Sequence, residues 1–454
     1  MDTKFTPGAE SRPHFYIESL GCSKNTVDST GIATLLQYQG YLPTTEPELA
    51  DVLIVNTCGF IATARAESLE VISQLSAARR PGQKIIAAGC WAQRDPDYLL
   101  ELLPELDAVI GTRSWPALPA LLELLQTRQE RLIYTEDDHP TILPEAVGVP
   151  GYALNSEVSA FLKIADGCDR RCAFCAIPMI KGRNVSRSLE AIVADARQLQ
   201  EQGVLEINLI AQDTTYYGYD LGMQDGLAIL LEQLVTTLPE LPWIRILYAY
   251  PGYLTPRLLA VMAAQPQILS YIDIPLQHAH PTILRRMRRP ADMMEVRRTV
   301  AELRRLLPEV CLRTTFIVGF PGETAEEFET LLDFVTELQF DRVGVFKYSE
   351  EVGTPAADYP DDVPEQIKDE RLAVLMLKQQ AISLAKNQAL VGKELPVLLE
   401  GTGDGFTIGR SYRDAPEVDG LVLLPGELPV NRIVPVRITE ALVYDLKGVL
   451  VDAL

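Results

Sequence analysis

Long apolar runs are missing from this chain of 454 residues. No stretch approaches the roughly 18 consecutive apolar residues that a membrane span needs, so we expect none. The opening stretch MDTKFTPGAESRPHFYIESLGC has neither a basic segment nor an apolar one. It therefore does not resemble a signal peptide, and a cytoplasmic location is the default expectation.

Basic residues are also scarce, with 41 Lys and Arg against 62 Asp and Glu and a net charge of −21. This charge disfavours non-specific contact with phosphate backbones and favours a basic partner. An acidic surface that simply aids solubility explains the charge equally well. Charge alone therefore leaves both interpretations open.

The chain has seven cysteines and no secretion signal, which argues against a disulfide scaffold and for metal or redox chemistry. Three of them, Cys168, Cys172 and Cys175, form the pattern CxxxCxxC within DGCDRRCAFC. Zinc motifs favour paired CxxC sequences, and the chain contains no second CxxC. An iron–sulfur cluster is therefore favoured over zinc or free thiols, although a cubane cluster usually takes four thiolates.

The pattern of apolar runs and turn residues predicts an α/β multidomain protein. Residues 14–127 alternate short apolar strands with helices, which predicts an N-terminal parallel α/β sheet domain. Residues 128–157 are rich in Pro, Gly and acidic residues and read as a linker. Residues 158–376 contain six strand–helix units, which fit a full or partial (β/α) barrel with its chemistry at the carboxyl ends of the strands. Residues 377–454 begin with a helical run and continue as short β-like segments, which predict a small antiparallel β-barrel.

Three further cysteines, Cys22, Cys58 and Cys90, each follow an apolar strand of the N-terminal sheet and each have a glycine beside them. Ligands of open α/β sheets collect at the carboxyl ends of the strands, so these thiols are predicted to converge as a second set of metal ligands. Buried small side chains are the alternative reading. Cys311 has no partner in the sequence and is predicted to pack in the barrel.

The CxxxCxxC loop after the first barrel strand resembles the radical S-adenosylmethionine (SAM) superfamily. This resemblance implies that the three cysteines hold a 4Fe–4S cluster whose open iron binds SAM. It also implies SAM contacts by Phe174, by Gln212 and Asp213 in LIAQD, and by Gly319 and Phe320 in TTFIVGFPGET. Each of these contact motifs is weak when taken alone.

Two three-cysteine sets in one chain resemble the radical SAM methylthiotransferases, together with the motifs SLGCSKNTVDS, VNTCGFI, GCWAQR and YSEEVGTPA. The resemblance covers about residues 14–454. It implies an auxiliary cluster in the N-terminal domain, a radical SAM barrel and a C-terminal TRAM barrel. It also implies two 4Fe–4S clusters, two SAM molecules, and a reducing electron donor such as flavodoxin or ferredoxin. The catalytic residues that it implies are the six cysteines of the two sets.

Two branches of this family modify different substrates. One adds a methylthio group to adenosine in tRNA, and the other adds it to the β-carbon of an aspartate in small-subunit ribosomal protein twelve. The acidic charge suits a basic protein substrate better than tRNA. AQDTTYYG and DIPLQHAH also resemble the ribosomal-protein branch. We therefore expect a basic ribosomal protein as the partner, with tRNA as the alternative and a non-catalytic iron–sulfur protein as a third possibility.

Three smaller features are expected to be less important. His278 and His280 lack the further ligands that a metal site needs, although His278 could contact substrate or SAM. The basic run RRMRRP at 285–290 reads as a solvated helix face more readily than as an RNA contact. Lys181 stands where the family pattern suggests Arg, and it has no firm role.

Overall fold

The computed structural model describes residues 12–128, 130–135, 153–156, 158–360 and 362–451. It forms two compact units. The first comprises Met1–Ala153 and Ile177–Arg183, and the second comprises Leu154–Ala176 and Asn184–Leu454. The central part of the predicted linker, residues 136–152, lies outside the described residues.

The first unit is built on a six-stranded sheet in the order β2-β1-β3-β4-β5-β6, with every neighbouring pair parallel. The inner strand β3 is buried along its whole length: an apolar run of four residues predicts burial of its first part, and the polar Asn56 and Thr57 at its end are buried as well. The strands are β1 His14–Ser19, β2 Leu42–Pro43, β3 Val52–Thr57, β4 Lys84–Ala88, β5 Ala108–Gly111 and β6 Leu132–Tyr134. The parallel sheet predicted for this part of the chain is therefore confirmed.

Helices connect these parallel strands, because parallel neighbours need a crossover connection. The helices are α1 Ser23–Tyr38, α2 Ala62–Ala77, α3 Gly89–Arg94, α4 Pro96–Leu102 and α5 Leu118–Thr127. A further short helix, α6 Ile177–Lys181, belongs to this unit although it directly follows the CxxxCxxC loop in the sequence.

The second unit contains a seven-stranded sheet in the order β15-β14-β13-β12-β11-β8-β7. Its pairs from β8 to β15 are parallel, and the order does not close on itself, so the barrel is partial. The strands are β7 Ala153–Ser156, β8 Ser159–Lys163, β11 Glu206–Ile210, β12 Trp243–Ile246, β13 Ile268–Asp273, β14 Cys311–Val318 and β15 Arg342–Lys347. All six strands predicted for this segment are present.

A two-stranded sheet and seven helices complete this part of the second unit among the described residues. The sheet pairs β9 Ala165–Asp166 with β10 Val185–Ser186. Helix α12 begins with a capping box, in which Thr324 and Glu327 each accept a backbone N–H of the other. The helices are α7 Leu189–Glu201, α8 Gly226–Thr237, α9 Pro256–Ala264, α10 Pro281–Arg286, α11 Met293–Leu306, α12 Ala325–Leu338 and α13 Glu365–Gln388.

The C-terminal strands form a closed five-stranded barrel in the order β16-β17-β18-β20-β19. The predicted small barrel is confirmed, but β18 and β20 pair in parallel. The reason is geometric: strand directions cannot alternate throughout a closed ring of five, so one neighbouring pair must run parallel. The strands are β16 Glu394–Gly403, β17 Phe406–Ser411, β18 Val422–Pro425, β19 Arg432–Ala441 and β20 Leu446–Leu450.

None of the helices in the described residues combines the length and the apolar character that crossing a bilayer requires.

Candidate active site

The CxxxCxxC loop leaves the first barrel strand through a rigid polar turn. Lys163, the last residue of β8, forms a buried ion pair of 3.0 Å with Asp166. Asp166 also accepts a hydrogen bond of 2.9 Å from the backbone of Gly167. Gly167 has a φ of 75°, which a residue with a Cβ rarely adopts. The turn therefore delivers Cys168 at the carboxyl end of the strand, as predicted.

Arg170, which lies within this loop, ties it to the surrounding residues. Its guanidinium forms an ion pair of 2.9 Å with Asp213 and donates to the Tyr253 hydroxyl at 2.9 Å. Three tyrosine rings lie 4.0–4.6 Å from its Cζ, those of Tyr216, Tyr250 and Tyr253. This arrangement neutralises the cation and fixes the loop between Cys168 and Cys172.

The second half of the loop is held by the backbone. Ala173 donates to the carbonyl of Met287 at 2.9 Å and accepts from the backbone of Ala356 at 2.8 Å. Ala173, Met287 and Phe320 lie in one buried apolar cluster, and Phe174 packs against it. Cys172 and Cys175 therefore sit on a segment that is anchored to two other parts of the unit.

Burial makes the Cys168 thiol a weaker acid than an exposed cysteine. It raises the pKa of this thiol to about 11, although a hydrogen bond from the Arg170 backbone opposes the shift. Only thiolates bind iron, so metal loading at this thiol releases a proton.

The structure places the predicted SAM contacts at strand ends, but several of their polar groups already have partners. Asp213 is buried, and besides Arg170 it accepts from the Thr215 hydroxyl at 2.6 Å. The backbone N–H groups of Gly319 and Phe320 both donate to Glu323. Gln212 is partly buried after β11. The SAM-binding roles of these residues remain predictions.

His278 and Glu323 form a buried polar pair beside the Gly319 turn. His278 Nδ1 accepts from the backbone of His280 at 2.9 Å, which places the ring proton on Nε2. Burial lowers the pKa of His278 to about 3 and raises that of Glu323 to about 7. His278 Nε2 lies 4.0 Å from Glu323 Oε2, and the Arg371 guanidinium lies 3.1 Å from the same carboxylate.

The N-terminal cysteines also gather at strand ends. Cys22 caps the start of α1, Cys58 directly follows β3, and Cys90 is the second residue of α3. Burial, with smaller contributions from the nearby Cys22 and Cys58, raises the pKa of Cys90 to about 12. The three thiols therefore lie within electrostatic range of one another.

Gly21 allows the chain after β1 to pass close to Cys58. Gly21 has a φ of 91°, and a Cβ there would lie 2.7 Å from the Cβ of Cys58 and 2.9 Å from its Sγ. Only glycine can therefore bring the end of β1 this close to Cys58.

Lys181, which had no firm role in the sequence, lies buried in this first unit. Its ammonium forms an ion pair of 2.8 Å with Asp28, and both side chains are almost fully buried. The positive charge of Lys181 also lowers the pKa of the Cys90 thiol against the larger effect of burial. Arg113 holds α6 by donating to the carbonyls of Met179 and Ile180.

The donor chemistry of both cysteine sets fits an iron–sulfur cluster. Each set offers three thiols, and the seventh cysteine, Cys311, is buried apart from them with its Sγ 3.3 Å from the Arg413 carbonyl. Among the described residues, no three His, Cys, Asp or Glu side chains are grouped as ligands of one metal ion. Thiolates that bind different irons of a cluster stand farther apart than ligands of a single ion.

The sequence pattern did not single out Arg170, Glu323 or Arg289 at this site. Arg289 was predicted to lie on a solvated helix face, but its Nη1 lies 3.7 Å from Cys172 Sγ. The two residues are 117 positions apart, so no local spacing could reveal their contact.

Three family models match the chain. The model of the radical SAM superfamily matches residues 162–335, that of the uncharacterized protein family UPF0004 matches 14–111, and that of the TRAM domain matches 391–451. Two cysteine sets and the C-terminal barrel thus each fall within a matched segment.

Curated relatives match over almost the whole chain. A ribosomal protein uS12 methylthiotransferase RimO of Roseiflexus sp. is 46% identical, with 97% of each chain covered. The chain belongs to this methylthiotransferase family. The RimO proteins of Chloroflexus aurantiacus and Microcystis aeruginosa are each 47% identical, covering 96% and 97% of this chain and 99% and 100% of their own.

Membership of this family makes the chain an enzyme of the transferase class, and the radical SAM match implies SAM and 4Fe–4S chemistry. A solved structure shares the fold at a TM-score of 0.57: the radical SAM methyltransferase TsrM from Kitasatospora setae. It is 15% identical and covers 88% of this chain and 81% of its own.

Proposed function

We propose that the chain adds a methylthio group to the β-carbon of an aspartate in ribosomal protein uS12, using two 4Fe–4S clusters and two SAM molecules. The observation that carries the proposal is the pair of three-thiol sets, each at the carboxyl ends of its own parallel sheet. The near full-length relatives that are named uS12 methylthiotransferases support the choice of substrate.

The six cysteines divide the chemistry between them. Cys168, Cys172 and Cys175 would hold the cluster that binds SAM, and Cys22, Cys58 and Cys90 would hold the auxiliary cluster. When bound, these groups supply a carbon-centred radical that removes a hydrogen atom from an unactivated C–H bond, together with the sulfur and methyl that replace it.

The protein's own side chains fix the loop that carries the first set and pack apolar surface against it. Arg170, Asp213 and the surrounding tyrosines hold the loop without leaving an unpaired charge on Arg170. The apolar cluster around Phe320 lines its other side. Exclusion of water matters because a reactive radical must meet only its substrate.

The C-terminal barrel carries few cations for holding phosphates. From Lys386 to Leu454 the chain has 7 Lys and Arg against 10 Asp and Glu. Arg410 and Arg413 point into buried ion pairs with Glu206 and Asp341, and Arg437 and Lys447 pair with acidic neighbours. This charge pattern favours a basic ribosomal protein over tRNA as the partner.

We also propose the cytoplasm as the location and a low-potential reductant such as flavodoxin or ferredoxin as the electron donor. The domain bounds 14–127, 158–376 and 377–454, with the linker 128–157, belong to the same proposal.

One experiment tests the function directly. Anaerobically reconstituted enzyme, SAM and reductant are incubated with purified uS12 or with tRNA, and both are analysed by mass spectrometry. We expect the methylthio mass on uS12 only; its appearance on tRNA alone contradicts the proposed substrate.

Cysteine variants in the same assay separate the two sets. Cys172→Ala should abolish reductive SAM cleavage, whereas Cys58→Ala should retain cleavage and lose methylthiolation. Cys311→Ala is the matched control and should keep both activities. A Cys58→Ala enzyme that still methylthiolates uS12 would show that the auxiliary site is wrongly assigned.

A further inference from the structure

Arg289 reaches the cysteine loop because α10 ends in a tight turn. Arg288 has a left-handed φ of 55°, its N–H donates to the Arg285 carbonyl, and the N–H of Arg289 donates to Leu284 at 2.8 Å. This pair of hydrogen bonds is a Schellman motif. It leaves Arg288 exposed and turns Arg289 inward.

The same turn holds the cysteine loop. The carbonyl of Met287 accepts from the backbone of Ala173, which lies between Cys172 and Cys175. Met287 and Ala173 also share the buried apolar cluster. The position of the Arg289 backbone is therefore coupled to that of the loop.

The guanidinium of Arg289 is arranged as a donor to sulfur. Its Nη1 lies 3.7 Å from Cys172 Sγ, and its Nη2 donates to the Pro275 carbonyl. Its Cζ lies 4.2 Å from the centroid of the Tyr250 ring. The Nε atom is buried and has no hydrogen-bond partner among the described residues.

This cation is not neutralised as Arg170 is. Within the part of the chain that the structure describes, no Asp or Glu oxygen lies within 4.0 Å of Arg289, whereas Arg170 is paired with Asp213. Both arginines contact Tyr250. The loop therefore has one cation that fixes its shape and one whose charge faces a cysteine sulfur.

We propose that Arg289 is a positioning residue that raises the reduction potential of the cluster held by Cys168, Cys172 and Cys175. This inference rests on the cluster assignment in the proposed function. Hydrogen bonds to cluster sulfurs and nearby positive charge stabilise the more negative, reduced cluster. Without Arg289 the same donor would reduce the cluster less completely, and SAM cleavage would slow.

The test is a redox titration of full-length protein in which Cys22, Cys58 and Cys90 are all replaced by Ala. Only the first cluster then contributes to the electron paramagnetic resonance signal. Iron content near four per chain is measured first. If this triple-Ala protein binds no iron, the assignment of the first cluster is wrong, whatever the role of Arg289.

Three variants are compared in this background: Arg289→Gln, Arg289→Lys and the exposed control Arg285→Gln. We expect Arg289→Gln to lower the reduced-to-oxidised ratio at a fixed potential about tenfold, equivalent to about 59 mV for one electron. Arg285→Gln should match the parent. Arg289→Gln with full iron and an unshifted midpoint overturns the proposal.

Loss of iron from Arg289→Gln is resolved by Arg289→Lys, which keeps the charge. The proposal requires that Arg289→Lys retains iron and a midpoint close to that of the control. If Arg289→Lys also loses iron, the role of Arg289 is packing rather than charge. The same conclusion follows if Arg289→Lys retains iron but its midpoint potential lies about 59 mV below that of Arg285→Gln.

Discussion

At the scale of single residues, Gly21 shows how backbone freedom shapes the auxiliary site. Its φ of 91° and its contact with Cys58 leave no space for a side chain. Gly82 has almost the same φ, 92°, but a Cβ there would meet no atom within 4 Å. Comparing substitutions at Gly21 and Gly82 therefore separates the strain of a left-handed backbone from the effect of crowding Cys58.

We predict that Gly21→Ala loses the auxiliary cluster while Gly82→Ala retains it. Both substitutions carry the left-handed penalty of about 1–2 kcal/mol, but only the first displaces Cys58. Iron and sulfide content after reconstitution, with thermal melting of both variants, measures the difference. Equal iron loss in the two variants would mean that backbone strain, and not the Cys58 contact, is responsible.

At the scale of secondary-structure elements, α6 is the clearest case of an element whose partners were unexpected. It follows the CxxxCxxC loop, yet it packs in the first unit through Lys181, Asp28 and Arg113. A buried ion pair adds little net stability, but removing one partner leaves an unpaired buried charge. The pair therefore fixes where α6 sits more than it strengthens the fold.

We predict that Lys181→Met destabilises the first unit by about 3–5 kcal/mol, because the buried Asp28 carboxylate then loses the ammonium group of its ion pair. The double variant Lys181→Met/Asp28→Leu should recover most of this loss. Urea unfolding followed by circular dichroism gives the values.

Arg257 supplies the matched control, because its pair with Glu232 has both side chains 44% exposed. Arg257→Met should cost less than about 1 kcal/mol. A Lys181→Met loss as small as this control would contradict the buried-pair argument.

At the scale of the whole molecule, the C-terminal barrel is joined to the partial barrel by buried charge. Glu206 of β11 pairs with Arg245 of β12 at 2.8 Å and with Arg410 of β17. Burial alone would raise the pKa of Glu206, but Arg410 and Arg245 overcome it and lower the pKa to about 2. Arg342 and Asp414 add a second pair of 2.7 Å across the same junction.

This carboxylate predicts a specific acid sensitivity. Because the folded pKa lies below the ordinary value of 4.5, Glu206 stabilises the fold fully above pH 4.5 and loses this effect as the pH falls toward 2. Glu206→Gln should cost about 3 kcal/mol at neutral pH, and the gap to the parent should narrow below pH 4.5. Melting temperatures of both proteins across this pH range measure the difference in stability. A difference that does not change with pH would contradict the lowered pKa of Glu206.

Local sequence was enough to predict most elements and to place six cysteines after strands, where both cysteine sets remain predictions. Alternating apolar strands and helices imply parallel sheets, and cysteines at strand ends imply ligands at one edge, because both rules depend on short-range periodicity. Family resemblance supplied the chemistry of Cys168, Cys172 and Cys175. Spacing alone left zinc open.

Contacts between distant residues were decided only by the tertiary structure. The parallel pairing of β18 with β20 follows from closing a ring of five strands, which no single strand reveals. The burial of Lys181 against Asp28 and the approach of Arg289 to Cys172 join residues 153 and 117 positions apart. The periodicity of a sequence predicts which face of a helix or strand a residue lies on. Which distant residue it contacts depends on how the helices and strands pack together.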